Sequence, residues 1–183
     1  MGSTKRPHDT ISERIDGDRM AKLMFEITIP ASLDAVWGFF NDPAGNLPKL
    51  SPPSTGMCVE SADMPMKAGS GLVTSWSGPF GRRIRWVGRI VEHRPPHGVV
   101  FGQEARFVDE LVRGPLAYWR HEHDFEAADA RTTRMVDRIT YRPPWGPLGW
   151  LADWVFLRWM IVRMFRVRYR ALNVIFDVAA VRR

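Results

Sequence analysis

The chain carries one cysteine, Cys58, in 183 residues. An internal disulfide framework and an all-cysteine metal cluster are thereby excluded, and nothing points to an oxidising compartment. A glycine-rich phosphate loop, a G-x-S-x-G nucleophile elbow and an H-E-x-x-H zinc signature are all missing. Gly78-Pro79-Phe80-Gly81 reads as a turn. No apolar h-region follows the early charges, and Arg6 stands where a myristoylation pattern wants Ser or Thr. The longest apolar stretch, Leu148 to Val162, contains Asp153 and Arg158 and falls short of the roughly 20 residues of a bilayer span. The expectation is a soluble, cytoplasmic protein.

Against these absences stand 45% hydrophobic and 25% charged residues. That balance argues for one globular domain, which buries about two-thirds of the surface its unfolded chain exposes. The net charge of +6 has a location: Arg158 to Arg183 hold seven arginines and one acid, Asp177, and the rest of the chain is balanced. A basic segment attracts nucleic acid or anionic lipid, or is a solvated helix face. Here the arginines interleave with a dense apolar pattern that packing explains, so no nucleic-acid partner is expected. Residues 1–20 mix both charge signs with few large apolar side chains and read as a mobile tail. Residues 21–183 read as the single domain.

Lys22 to Ile29 alternates like a strand, and Pro30 closes it. Ser32 stands at a helix N-cap position with Asp34 in the first turn; Val36, Trp37, Phe39 and Phe40 form the buried side of a short helix. Asn41-Asp42-Pro43 stops it, and a second short helix or turn carries Leu47 and Leu50. Strands are expected near 56–62, 70–77, 82–93, 99–107, 108–113, 116–126 and 131–142, with 99–107 and 108–113 read as two strands or one long bent one. Short sequential strands joined by turns predict an antiparallel meander. At the end, Leu148, Ala152, Val155, Trp159, Val162, Phe165, Tyr169, Leu172 and Phe176 recur at helical steps, with Arg163, Arg166, Arg170, Asn173 and Asp177 on a polar stripe. A helix of about 30 residues is about 45 Å long. Its first half is apolar nearly all round, so more than one of its sides should be covered. The fold class is α+β: a curved sheet of six or seven antiparallel strands, two short helices and one long helix.

If the long helix is held off the concave sheet, an apolar cavity remains between them, and such cavities are the usual small-molecule sites. The other outcome is a packed core. The residues alone leave both open.

Specific segments bear on the choice. Pro30-Ala31-Ser32-Leu33-Asp34-Ala35-Val36-Trp37-Gly38-Phe39-Phe40 is similar to the start of the first helix in bacterial members of the START-like superfamily, also called SRPBCC. Asn46-Leu47-Pro48-Lys49-Leu50-Ser51-Pro52-Pro53 resembles their second helix. Phe107-Val108-Asp109-Glu110, Gly114-Pro115, Trp119-Arg120-His121-Glu122-His123-Asp124-Phe125, Thr133-Arg134-Met135-Val136-Asp137 and Tyr141-Arg142-Pro143-Pro144-Trp145-Gly146-Pro147-Leu148-Gly149 resemble the signature of one bacterial branch. The resemblance spans roughly residues 22–178, with Pro96 to Phe107 longer than that branch leads one to expect. It implies the helix-grip fold of polyketide cyclases, lipid-transfer domains and birch-pollen allergen proteins, and it favours the cavity. The branch has no activity to carry over, and one fold hosts many.

Trp119, His121, His123 and Phe125 alternate on one strand face that the flanking aromatics turn inward. Two histidines at this spacing can chelate a metal, but catalytic zinc usually takes a third protein ligand and the spacing indicates none. Asp137, on the next strand, lies beside His121 if the 127–130 turn sets an even register, and would orient the imidazole. Tyr141 and Tyr118 could donate protons, though tyrosines near a core mostly satisfy ordinary hydrogen bonds. His93 and His97 flank Arg94-Pro95-Pro96 as loop residues, Arg85 and Arg89 share the face opposite Trp86 and Ile90, and Cys58 has no basic neighbour in sequence.

The leading expectation is a binding protein for an apolar, amphipathic or polyketide-like small molecule, with Trp37, Trp86, Trp119, Phe125, Met135 and Trp159 as wall residues. The alternative is a cyclase or dehydratase in which His121, His123, Asp137 and Tyr141 move protons, with no metal or organic cofactor required. A weaker one treats the Trp- and Arg-rich helix as a membrane-surface element through which the pocket loads from lipid.

Overall fold

Alternation along the chain becomes a single seven-stranded antiparallel sheet in the order β1-β7-β6-β5-β4-β3-β2. The strands are β1 (Ala21–Ile29), β2 (Cys58–Ala62), β3 (Gly71–Ser77), β4 (Arg83–Arg94), β5 (Glu104–Arg113), β6 (Tyr118–Asp129) and β7 (Thr132–Arg142). The computed structural model describes residues 20–78, 81–97 and 102–181, with side chains as far as residue 177. The tail read at residues 1–20 lies outside them except for Met20, as does the expected strand start near residue 99. From Glu104 to Arg113 the chain is one strand, so the second of the two readings there is the correct one.

Between β1 and β2 lie α1 (Leu33–Phe40), α2 (Pro43–Asn46) and two 3₁₀ turns, Leu47–Leu50 and Pro53–Thr55. Ser32 caps α1 by accepting from the Ala35 amide at 3.4 Å, and Leu33, Val36, Trp37 and Phe40 form the buried stripe. Asp42 caps α2 through the Gly45 amide at 3.1 Å. Proline at the start of α2 costs nothing there because that amide has no helical acceptor.

The terminal helix is α3 (Gly146–Ala152), a π-turn over Asp153–Leu157, and α4 (Arg158–Val181). Left-handed backbone at Trp145 (φ 64°) and Gly146 (φ 55°) turns the chain off β7. Gly149 sits so close to that turn that a Cβ would stand 1.7 Å from the Pro144 carbonyl oxygen. The second half of the predicted stripe, Phe165, Tyr169, Leu172 and Phe176, is buried. The first half is not. Leu148 (72% exposed), Val155 (65%) and Trp159 (56%) face outward. Ahead of α4 the π-turn is the reason: its wider spiral holds more residues per turn, so the inward positions become Gly149 and Asp153. Within α4 the regular spacing back from Phe165 puts Ile161 inside and Trp159 outside.

α4 does not stand off the sheet where it crosses β1. Phe165 stacks flat on Phe25 with ring centroids 4.6 Å apart, and Tyr169 meets Phe25 edge-on. Trp37 and Phe40 reach the same interior from α1, with Phe125 5.9 and 5.3 Å away. No hollow separates helix and sheet at this crossing. Two concavities among the described residues lie elsewhere, one on the outer sheet face around Arg94, Arg106, Asp124 and Arg138, the other beside Arg85, Val87, Arg113 and Gly114.

Candidate functional site

Trp119, His121, His123 and Phe125 project inward from β6 and are buried. In the ladder His121 stands opposite Asp109 on β5, and His123 opposite Asp137 on β7. A bulge between Ala127 and Asp129 sets that second register. The extra residue keeps β6 and β7 in phase so that Asp137 shares the face of the histidines, as the even register requires. A second bulge, between Ile90 and Glu92, shifts the inward side of β4 from Ile90 to His93.

Four ionisable groups therefore meet inside the protein. His121 Nε2 lies 3.0 Å from Asp137 Oδ1 in a hydrogen bond. His123 Nδ1 lies 2.8 Å from the same oxygen, off the hydrogen-bonding direction, so that contact is electrostatic. Asp109 Oδ2 lies 3.5 Å from both His121 Nδ1 and His123 Nε2. From α4, the Tyr169 hydroxyl donates to Asp137 Oδ2 at 2.7 Å. The two imidazoles lie 3.8 Å apart centre to centre. Phe107 stacks on His123 at 4.0 Å, while Phe165 and Trp119 stand edge-on to His121.

Charge in this enclosure is settled by neighbours. Burial alone would raise the Asp137 carboxyl, but the charge of His123 and the contacts with both histidines hold it well below the usual carboxylate range. Burial opposes ionisation of Asp109 too, yet His123, His121 and Arg168 keep it low. Burial lowers His121, and repulsion from His123 lowers it further. For His123 the two flanking carboxylates outweigh burial and raise it. Of the two imidazoles, His123 is thus the one whose charged form the carboxylates favour. Desolvating such charges is costly unless they are paired. Only Asp109 keeps an opening to solvent, with 20% of its side chain exposed.

Tyr141, also buried, stays out of this cluster. Its hydroxyl donates to Asp153 Oδ1 at 2.7 Å, and Arg158 Nε lies 3.8 Å from the other oxygen of that carboxylate. Burial and the Asp153 charge push the phenol up, so it holds its proton firmly. The π-turn is what aims Asp153 inward.

Of the expected wall residues, Trp37, Trp119, Phe125 and Met135 are buried in the core, and Trp86 is half-buried and edge-on to Trp119 at 5.3 Å. Trp159 is not a wall residue here: it lies on the outer side of α4. Trp86, Leu111, Leu116, Trp150 and Leu157 are apolar, only partly buried, and packed against the core. His93 lies within β4 and meets Asn41 Oδ1 at 3.0 Å, in contact with Trp37, and His97 is exposed. Arg85 pairs with Glu60 at 2.7 Å on the surface. Cys58 does have a basic partner, supplied across the sheet: Arg83 Nη2 reaches its sulfur at 3.0 Å. Sequence reasoning gave no role to Asp109, Tyr169 or Asp153. Alternation of Phe107, Asp109 and Leu111 was the available signal for the first. The other two depend on helix phase.

Residues 20–173 match the family described as polyketide cyclase / dehydrase and lipid transport. The chain belongs to that family. The sheet and long helix are accordingly those of the START-like superfamily, and members of the polyketide cyclase / dehydrase family are the frame for the cluster above. No curated protein matches the chain. Among solved structures, protein Ms6760 from Mycobacterium smegmatis is similar at 16% identity, with 92% of this chain and 97% of that one covered and a TM-score of 0.64. The Zhui aromatase/cyclase from Streptomyces sp. R1128 is similar at 15% identity, 86% and 94% coverage and a TM-score of 0.60. Norcoclaurine synthase from Thalictrum flavum, solved with dopamine and hydroxybenzaldehyde, shares 11% identity over 85% of this chain and 86% of that one, with a TM-score of 0.55. At these identities the likeness is one of fold.

Proposed function

We propose that this protein binds an apolar or amphipathic small molecule bearing oxygen groups, of polyketide-like character. The observation that carries the reading is the Asp109–His121–His123–Asp137 cluster. It places two carboxylates and two imidazoles inside an aromatic shell, where an apolar core would be at least as stable. Buried polar sets of this kind supply the few directional contacts of a mostly apolar ligand site. Asp109 is the edge of the cluster open to solvent, and the half-buried Trp86, edge-on to Trp119 beside His121, lies toward it from β4. Family membership and the aromatase/cyclase likeness support the ligand class. Native mass spectrometry of the purified protein should find a co-purified small molecule of this class. Tryptophan fluorescence should respond to added aromatic polyketide mimics and not to sugars or nucleotides, and equal indifference to all three would overturn the reading.

Turnover at the same place would make the protein a cyclase or dehydratase, with the His121–Asp137–Tyr169 hydrogen-bond chain as the observation in its favour. A catalyst loses turnover on His121→Ala or Asp137→Asn while still binding. Variants that only bind more weakly mark a carrier. A further reading concerns the outer side of the terminal helix. Trp154, Phe156 and Trp159 are exposed there, with the Arg163 guanidinium 5.5 Å from the Trp159 ring centre. An aromatic face rimmed by arginine fits the surface of an anionic bilayer.

A further inference from the structure

We infer that Asp109, His121 and His123 form a binding site for one divalent first-row transition-metal ion, with Asp137 as the carboxylate that orients His121. The inference deepens the ligand reading by naming what the cluster holds. It rests on that reading only for the molecule that would approach the ion.

The spacing of His121 and His123 in sequence indicates no third ligand, and the fold supplies one from the neighbouring strand. Asp109, His121 and His123 each offer a ligand atom, and these atoms lie within 4.8 Å of one another. Zinc bonds to nitrogen and carboxylate oxygen are about 2.0–2.2 Å, which in a tetrahedral shell sets neighbouring donors about 3.4 Å apart. Asp109 Oδ2 is 3.5 Å from the donor nitrogen of each histidine. Without a shared proton or an ion, such spacing is too long for a good hydrogen bond. The donor set, two imidazoles and one carboxylate, is one that zinc and non-haem iron accept with a position left open.

The outer contacts agree. A metal on His121 Nδ1 leaves Nε2–H to donate to Asp137 Oδ1, 3.0 Å away. A metal on His123 Nε2 leaves Nδ1–H facing the same oxygen at 2.8 Å. The Asp137 carboxylate thus fixes the His121 ring by a hydrogen bond and holds a negative charge beside His123. The Tyr169 hydroxyl holds the second oxygen of that carboxylate at 2.7 Å. Orienting carboxylates of this kind are a regular companion of metal-bound histidine. Two buried carboxylates with two neutral imidazoles carry charge −2, which a divalent ion cancels. Asp109, whose side chain is 20% exposed, is the way in.

Zn²⁺ or Co²⁺ alone, titrated into the EDTA-stripped full chain, tests this. The expected result is one ion per chain, with visible d–d absorption of bound Co²⁺ at four- or five-coordinate intensity. Asp109→Asn, a near-isosteric change at the accessible ligand, should weaken binding at least tenfold while the far-UV circular dichroism is unchanged. Asp137→Asn should weaken it by about 10–100-fold without changing the ligand count. A folded wild-type protein that takes up no ion, or an affinity that Asp109→Asn leaves alone, overturns the inference. Fluorescence titration of the stripped protein with an aromatic polyketide mimic is read in parallel. Mimic binding without metal uptake sinks the metal site only, and metal uptake without mimic binding sinks the ligand reading only.

Discussion

At Asp137 three contacts converge on one carboxylate: His121 and His123 on one oxygen, Tyr169 on the other. The group has no exposed surface, so its charge is held entirely by protein. Truncation takes a counter-charge from beside His121 and His123 and leaves a phenol without its acceptor. Asp137→Ala should lower stability by about 3–5 kcal/mol, the usual loss when one member of a buried ion pair is removed. Asp137→Asn, which still accepts from Tyr169, should lose less. Urea denaturation of both against wild type checks the order. Equal losses would mean that the Tyr169 hydrogen bond contributes nothing and the charge everything.

Elements, not single residues, decide which of these groups meet. The alternation on β6 was visible in the sequence because a strand fixes sidedness at every second position. Hence His121, His123 and Phe125 could be placed on one inward face before any coordinates. Asp109 could not, since its neighbours depend on the register between β5 and β6, which alternation along either strand does not fix. The helix posed the converse difficulty. Steps of three and four place Leu148 and Trp159 inside. The π-turn over Asp153–Leu157 turns Leu148 out, and Trp159, six residues before the buried Phe165, faces outward on the regular spiral of α4. Deleting Val155, an exposed residue of that turn, should restore a regular spiral and swing Asp153 away from Tyr141. Loss of that buried acceptor should cost about 1–3 kcal/mol, read as a lower melting temperature, and a deletion without effect would make the π-turn incidental. On the sheet's outer face, Arg106 and Arg120 bracket Glu122 at 2.6 and 3.0 Å. Burial would raise that carboxyl, but the arginines hold it below its ordinary value. A carboxylate depressed in the folded state stabilises fully above its unfolded pKa and loses that contribution as pH falls. The urea midpoint should therefore drop between about pH 5 and pH 3. Arg106→Met should flatten part of that drop, and an identical profile would refute the role of the network.

Across the whole molecule, apolar surface is distributed unevenly. Leu148, Leu151, Trp154, Val155, Phe156 and Trp159 lie exposed in the first half of the terminal helix, a concentration of large apolar side chains that soluble surfaces usually avoid. Among the described residues no helix is long and apolar enough to cross a membrane. An in-plane contact is the geometry left to this face if a bilayer is its partner. The protein should float with vesicles containing anionic lipid and stay behind with neutral ones, and the double variant Trp154→Ser/Trp159→Ser should remove most of that binding. Flotation that ignores both lipid charge and these tryptophans would dispose of the bilayer reading.

The sheet's outer face pairs its charges internally, Arg134 with Glu26 and Glu126, Arg120 with Glu110, whereas α4 carries five arginines from Arg158 to Arg170 and no acid in that stretch. The protein is therefore lopsided in potential: nearly neutral behind, strongly cationic in front. Drifting toward a negative interface it would be rotated before touching, arriving helix first. Added salt should slow arrival steeply and leave departure, governed by how deeply the indoles are seated, almost untouched.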